Sequence, residues 1–200
     1  MKGILLLNGD PYTGEICAEN ARVLCCDGAY DWAKDRVRID ENVGDFDSLA
    51  CLPSPPPQEI YPAEKDFTDG EIALRKLIAY GCDEIEIYGG GGGREDHFLG
   101  NLHLLYYAHE RKMKVKMLTE NAEIYPASGK TALHGAVGKT VSLLPFGGNA
   151  HIISSEGLKY PLNDLLLSYG ACRGISNVVL KNPASFVCGE GTVLVFLNRK

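Results

Sequence analysis

The sequence predicts an α/β domain over residues 1–120, built on a parallel sheet, followed by an all-β domain over residues 121–200. Three observations carry this expectation. Short apolar runs alternate with amphipathic stretches through the first half, the grammar of a parallel sheet flanked by helices. Acidic residues sit at the ends of those apolar runs. After about Thr119 the helical periodicity stops, and short strand-like runs follow one another between Gly, Asn and Pro turns.

Taken in order, Ile4–Leu7 is a continuous apolar run ending in Asn8-Gly9-Asp10-Pro11, the pattern of a buried strand entering a turn. Val23–Cys26 is a second strand, ending on Asp27-Gly28. Asn42-Val43 leads into Gly44-Asp45-Phe46-Asp47-Ser48. Residues 53–57 hold four of the ten prolines and form an extended connector. A helix begins at Thr68, where Thr68-x-x-Glu71 is a capping box; Leu74, Leu77 and Ile78 share a face and Gly81 supplies the stop. Glu84–Tyr88 alternates as a strand and runs into five glycines, Gly89–Gly93. A second helix spans about Asp96 to Lys112, and Val115–Leu118 is a strand. Beyond it, strands are expected at Thr140–Leu144, His151–Ser154, Val178–Leu180, Ser185–Cys188 and Thr192–Leu197. A turn is expected near Asn163–Leu167 and a hairpin loop over 188–192. A Rossmann-like sheet followed by a small sandwich is the economical architecture.

Composition bounds the function. The 200 residues carry 26 acidic and 20 basic side chains, a formal net charge of −6, with 45% hydrophobic residues. A pI near 5.4 argues against a constitutive nucleic-acid binder. No apolar run approaches the roughly 20 residues of a membrane span, and no secretory leader is apparent. The seven cysteines form no C-x-x-C pair, so buried, reduced thiols in a cytoplasmic protein are expected.

The acidic residues locate the chemistry. Asp27, Asp45 and Asp47 follow strands, while Asp69 and Asp96 begin helices. In an open parallel sheet the carboxyl ends of the strands share one rim where ligands bind, so five carboxylates could converge on one cleft. Two carboxylates about 4 Å apart repel by roughly 4 kcal/mol at an effective dielectric near 20, a repulsion that a divalent cation removes. Oxygen-only ligands favour Mg²⁺ or Mn²⁺. The glycine run followed by Arg94 suits a phosphate, with free amides at the helix start and a bidentate guanidinium. Lys65 could reach a phosphate at the helix capped by Thr68. His97, His103 and His109 are spaced by six residues and share no helical face, which argues against a three-histidine metal site. Ser176-Asn177 reads as a turn.

These residues also carry a resemblance. Cys26-Asp27-Gly28-Ala29, Gly44-Asp45-Phe46-Asp47-Ser48, Lys65-Asp66-Phe67-Thr68-Asp69-Gly70-Glu71 and Gly92-Gly93-Arg94-Glu95-Asp96-His97 through Asn101 resemble the thiamine pyrophosphokinase family. The likeness continues through Ser142–Pro145, Gly157–Leu162 and Ser176-Asn177, in order, over nearly the whole chain. It implies an N-terminal α/β domain that binds ATP and metal, and a C-terminal β-sandwich that binds thiamine and forms a homodimer. The implied reaction is Mg²⁺-dependent transfer of a diphosphoryl group from ATP to thiamine, giving thiamine diphosphate and AMP. Asp45, Asp47 and Asp69 match the metal ligands, and Asp27 and Asp96 complete the acidic cleft. Lys65, Thr68, Arg94 and Asn101 fall near the nucleotide; Asp96, Ser176 and Asn177 fall near thiamine. The general base is Asp96 or Asp69. Two departures stand out: Ala29 where members often have glycine, and no aromatic directly after Asn177, so a stacking ring must come from elsewhere, with Tyr169 and Phe186 as candidates. Two other readings use the same rim: a different metal-dependent phosphotransferase or nucleotidyltransferase, and a binding protein without turnover. Release of AMP from ATP and thiamine separates them.

Overall fold

The computed structural model describes residues 1–46, 49–58, 60–62 and 66–199. Two compact units result, Met1–Glu120 and Asn121–Lys200. In the first, the strands are β1 (Lys2–Leu6), β2 (Ala21–Cys26), β3 (Glu41–Val43), β4 (Glu84–Tyr88) and β5 (Lys114–Leu118); the helices are α1 (Ala29–Ala33), α2 (Asp69–Ala79) and α3 (Glu95–Glu110). The strand order is β5-β4-β1-β2-β3, and every pairing within it is parallel.

Alternation along the strands sorts the two faces. Ile4, Leu6, Val23, Cys25, Tyr88 and Leu118 pack with Ala29 and Ala33 of α1 on one side. Helices α2 and α3 are the packing partners of β1, β2, β3 and β5, with Ala73, Leu74, Leu77, Leu105 and Ala108 buried. Helix α2 begins where its cap predicts: the Thr68 hydroxyl accepts the Glu71 amide at 3.2 Å. The return half of the capping box is diverted, because the Glu71 carboxylate holds Arg75 at 2.7 Å, one turn along. The helix stops at Gly81, whose φ of +80° only glycine adopts freely.

Two carboxylates inside this unit are buried, and one of them, Glu86, lies on the polar side of an alternating strand pattern. Glu41, 1% exposed, accepts from Lys76 Nζ at 2.5 Å and from the Tyr80 hydroxyl at 2.7 Å, tying α2 to β3. Burial opposes the Lys76 charge, but Glu41 outweighs it and the ammonium is held above its ordinary range. Glu86 of β4 lies between Lys2 of β1 at 2.7 Å and Lys116 of β5 at 3.2 Å, and accepts the Tyr88 hydroxyl at 2.7 Å. Burial would raise the Glu86 carboxyl, yet Lys2, Tyr88 and Lys116 together keep it below the usual carboxylate value.

The second unit contains β6 (Ala122–Leu133), β7 (Thr140–Pro145), β8 (Ala150–Glu156), β9 (Leu165–Leu167), β10 (Asn177–Val178) and β11 (Ala184–Asn198). All its pairings are antiparallel, so the chain as a whole mixes parallel and antiparallel strands. The hairpin expected over 188–192 is absent. Residues 184–198 form one strand, with register shifts between Cys188 and Val193 and Gly191 at φ +75°. Such an irregularity bends a strand without reversing it. The first half of β11 lies between β6 and β8, the second between β6 and β7. Phe186, Val193 and Val195 from this strand are fully buried against Leu133, Val141, Leu143 and Ile152.

The seven cysteines are free thiols, but Cys17, Cys51 and Cys172 are exposed, so burial is not their common state. Among the described residues no helix is long and apolar enough to cross a membrane.

The Glu86 cluster makes a stability prediction. Glu86→Ala leaves Lys2 and Lys116 facing a half-dry strand face and should cost on the order of 2 kcal/mol at pH 7, below a fully buried pair because both lysines remain partly solvated. The wild-type carboxyl titrates below 4.5 in the fold, so its contribution is present above that pH and fades as pH falls through the lower folded value. Urea unfolding should show the full gap between the two proteins at pH 7 and a much smaller one at pH 3. An equal gap at both would refute the ion-pair account.

Candidate active site

All five strands of the first unit point the same way, so the loops leaving their carboxyl ends form a single rim. The order β5-β4-β1-β2-β3 reverses its direction of growth between β1 and β4. At such a reversal an open sheet presents its ligand crevice. Here the two loops are joined beyond the strand ends: Leu7 N–H donates to Tyr88 O at 2.9 Å, Gly9 N–H to Gly89 O at 2.8 Å and Asp10 N–H to Gly91 O at 2.7 Å. The Asn101 side-chain amide donates to Gly90 O at 3.0 Å. Three successive carbonyls of the glycine run are therefore held, and the run has a fixed shape. Glycine is required sterically at position 9, where a Cβ would lie 2.4 Å from Gly91 O, and conformationally at position 92, whose φ is +69°.

The next two strand ends bring their turns together. Asp27 follows β2 with φ +44°, and its amide donates to Val43 O at 3.0 Å. A Cβ on Gly44 would sit 3.1 Å from the Asp27 Cβ, so the turns after β2 and β3 lie side by side. Asp45 comes next, and then Phe46, 5% exposed with φ +59°. A bulky residue in the left-handed region is strained, and such strain persists where the surroundings over-determine the chain. The Cys25 thiol is pushed up first by burial and then by the negative charge of Asp27.

The helix starts complete the rim. Gly70, in the first turn of α2, has Leu7 at 3.1 Å and Leu104 at 3.2 Å from its Cβ position, which sets neighbouring Asp69 beside the end of β1. Asp96, in the first turn of α3, is gripped by Arg94: Nε donates to Oδ1 at 3.1 Å and Nη2 to Oδ2 at 2.6 Å. The Arg94 hydrogen bond is the chief reason the Asp96 carboxyl sits below the usual range. Both side chains are exposed, 71% and 64%.

Asp27, Asp45, Asp69 and Asp96 thus share one rim, as do Thr68, Arg94 and Asn101; Asp47 and Lys65 lie outside the described residues. Thr68 caps its helix as its motif predicts. Two other side chains have partners that residue type alone does not reveal: Arg94 holds Asp96, and Asn101 braces the glycine loop. Among the described residues, no group of three or more His, Cys, Asp and Glu side chains is placed to hold a metal ion. In the second unit, exposed Ser176 has φ +61°, and its amide donates to the Ser142 hydroxyl at 3.0 Å. Asn177 is buried, and its side-chain carbonyl accepts the amides of Tyr160 at 3.0 Å and Val178 at 2.9 Å. Its side-chain NH₂ donates to Tyr160 O at 2.7 Å. Its described contacts brace the turn around Tyr160. Of the two stacking candidates, Phe186 is fully buried in the core whereas Tyr169 is 66% exposed, which leaves only the latter accessible.

The loop after β1 reads in the sequence only as a turn, though it forms one wall of this rim. Its signal, Asn8-Gly9-Asp10 after an apolar run, matches that of Asp27-Gly28 and Gly44-Asp45. Gly9→Ala should force two backbone segments apart and destabilise the protein by about 1–3 kcal/mol, with faster hydrogen exchange at residues 9–10. Gly100→Ala, in α3 with nothing within 4 Å of the added methyl, should be neutral or stabilising by up to ~1 kcal/mol. Equal effects in thermal melts would contradict the loop geometry.

Comparisons with known proteins bear on the family and the fold. Residues 14–117 match the thiamin pyrophosphokinase catalytic domain, and residues 130–193 match the thiamin pyrophosphokinase vitamin B1 binding domain. The chain is 31% identical over 163 residues to the thiamine pyrophosphokinase of Bacillus subtilis (strain 168), covering 78% of this chain and 76% of that one. It is 26% identical over 174 residues to thiamine pyrophosphokinase 1 of Oryza sativa subsp. japonica, covering 74% and 62%. The crystal structure of the Bacillus subtilis thiamine pyrophosphokinase superposes with a TM-score of 0.83 at 24% identity, both chains covered in full. That of thiamin pyrophosphokinase from Candida albicans gives 0.76 at 18% identity, covering 98% of this chain and 88% of that one. By both domain matches, in order along one chain, this protein belongs to the thiamin pyrophosphokinase family.

Proposed function

We propose that the first unit carries out the transfer and the second binds thiamine, dividing the chain at residues 120 and 121. The chain is a transferase of its family, moving a diphosphoryl group from ATP to the hydroxyl of thiamine and releasing AMP. The observation that carries this is the succession of a catalytic-domain match and a vitamin B1 binding match in one chain. In architectural terms the first unit is a Rossmann-like half and the second a β-sandwich. The parallel order of the one and the antiparallel pairing of the other support that reading.

The donor set suits a hard cation. Asp27, Asp45 and Asp69 offer only oxygen, as does Asp47 by residue type. Mg²⁺ commonly takes one or two carboxylates and completes its shell with water and substrate phosphates, so no preformed three-carboxylate cage is required. Asp45, Asp47 and Asp69 would hold it, and Asp27 adds to the negative field beside them. Bound there, Mg²⁺ would neutralise charge on the triphosphate and align the transferred group. The fixed glycine run and the start of α3 receive phosphate oxygens. The Thr68 helix start flanks the same phosphates, Lys65 adds a positive charge by residue type, and Asn101 keeps the run in shape. Arg94 orients Asp96 toward the acceptor side. Thiamine's hydroxyl attacks the β-phosphorus in line with departing AMP, and Asp69 and Asp96, at the helix starts, are the candidate acceptors of its proton. The acidic rim suits a permanent thiazolium charge, and Ser176 and Asn177 are the candidate thiamine contacts within the second unit. A homodimer in the cytoplasm completes the proposal; free thiols throughout are consistent with a reducing compartment.

The test is AMP release from ATP, with and without thiamine, across a Mg²⁺ series. AMP should appear only with thiamine, vanish with excess EDTA and return with Mg²⁺. Asp45→Asn and Asp69→Asn should each lower kcat at least 100-fold, and Asp47→Asn likewise. Formation of ADP or pyrophosphate instead would point to another phosphotransferase. Turnover of Asp69→Asn within threefold of wild type would refute the metal assignment.

A further inference from the structure

The loop after β1 is held by two side chains to which neither the acidic motifs nor the glycine run assigns a role. Arg36, just beyond α1, donates to three successive carbonyls: Nη1 to Tyr12 O, and Nη2 to Thr13 O at 3.0 Å and Gly14 O at 2.7 Å. Glu120, just beyond β5, takes the same loop from its other polar groups. Its Oε1 accepts Thr13 N–H at 2.5 Å and its Oε2 accepts the Thr13 hydroxyl at 2.9 Å. Both are charge-assisted and bidentate or better, the strong class of hydrogen bond. Tyr12 between them is 4% exposed, and its ring stands 4.9 Å from that of Tyr88. Upstream, Gly9 and Asp10 are already bonded to the glycine run. The segment 9–14 is therefore fixed at both ends and along its length, although it is a surface loop and both clamps are exposed.

An arginine spending its guanidinium on three main-chain carbonyls restrains one piece of backbone at the edge of the ligand crevice. We propose that Arg36 and Glu120 are positioning residues for the nucleotide. By holding the β1 loop against the glycine run they preorganise the wall that receives ATP. The inference rests on the diphosphotransfer reading for its substrate, and on these hydrogen bonds alone for its geometry. Preorganisation acts by removing the ordering entropy that binding would otherwise have to supply. Loss of a clamp should thus weaken ATP selectively, and leave thiamine, whose family-matched binding segment is 130–193, little affected.

The experiment compares wild type, Arg36→Met, Arg36→Lys and Glu120→Gln. Arg36→Met should raise the KM for ATP about tenfold, keep the KM for thiamine within twofold, and shift the melting temperature by no more than about 2 °C. Hydrogen exchange should quicken at residues 9–14. Arg36→Lys, which keeps the charge but can reach fewer carbonyls, should recover part of the ATP affinity, and Glu120→Gln should fall between wild type and Arg36→Met. An ATP KM within twofold of wild type overturns the proposal. So does a parallel rise in both KM values with a lowered melting temperature, since that is what a merely structural role produces. Should wild type release no AMP from ATP and thiamine, the functional reading fails instead. ATP affinity by calorimetry in wild type and Arg36→Met then decides the positioning role: equal affinities sink it, and a tenfold loss sustains it.

Discussion

The structure of the candidate site depends on a ladder that does not end where its strands do. Strands β1 and β4 pair in parallel through Leu6 and Tyr88, and three more main-chain hydrogen bonds carry the pairing into their loops. Loops at a sheet edge usually have more freedom than the strands that feed them. Here the continuation converts two of them into one rigid lip. The close approach needs glycine at positions 9 and 89, where a Cβ would lie within 2.5 Å of main-chain oxygens. The five-glycine run is thus a packing requirement as much as a source of freedom.

The same unit is also locked by paired charges. Glu41 begins β3 and binds Lys76 in α2's last turn and Tyr80, the residue that caps that helix. Glu86 joins β1, β4 and β5 through two lysines. Removing one partner from such a cluster is costly, so each fixes the relative placement of the elements it touches. Two of those elements, β3 and α2, present Asp45 and Asp69 at their rim ends. Placement of the acidic rim and the buried ion pairs are therefore two parts of one arrangement.

Much of this is legible in the sequence. Apolar runs mark the buried strands, and the residue after each run falls on the rim because parallel strands share an edge. Asp27 and Asp45 could be placed for that reason, and Asp69 and Asp96 because a helix that follows a parallel strand starts at the same edge. The cap at Thr68 and the stop at Gly81 are local chemistry and were equally readable. What could not be read depends on non-local partners. Strand β6 contains Pro126 and Gly129, which ordinarily argue against a strand, yet both pair with β11. The turn signal at Gly189-Glu190-Gly191 is a register irregularity inside one strand. Glu86 looks like the polar half of an alternating strand until Lys2 and Lys116 arrive from sequence positions 84 and 30 residues away. The engagement of Arg94 with Asp96, and of Asn101 with Gly90, is invisible to residue type, since either side chain could as well have faced a ligand.

Strand β11 has a consequence for how the polypeptide matures. It lies against β6, β7 and β8, and supplies Phe186, Val193 and Val195 to the core of the second unit, yet it follows all of them in order of translation. A ribosome would release every strand of the first unit long before β11 emerges, so the parallel sheet can condense while the antiparallel one still lacks its central member. In that interval the edges of β6, β7 and β8 wait unsatisfied, with long closures to make and open strand edges of the kind that chaperones shield.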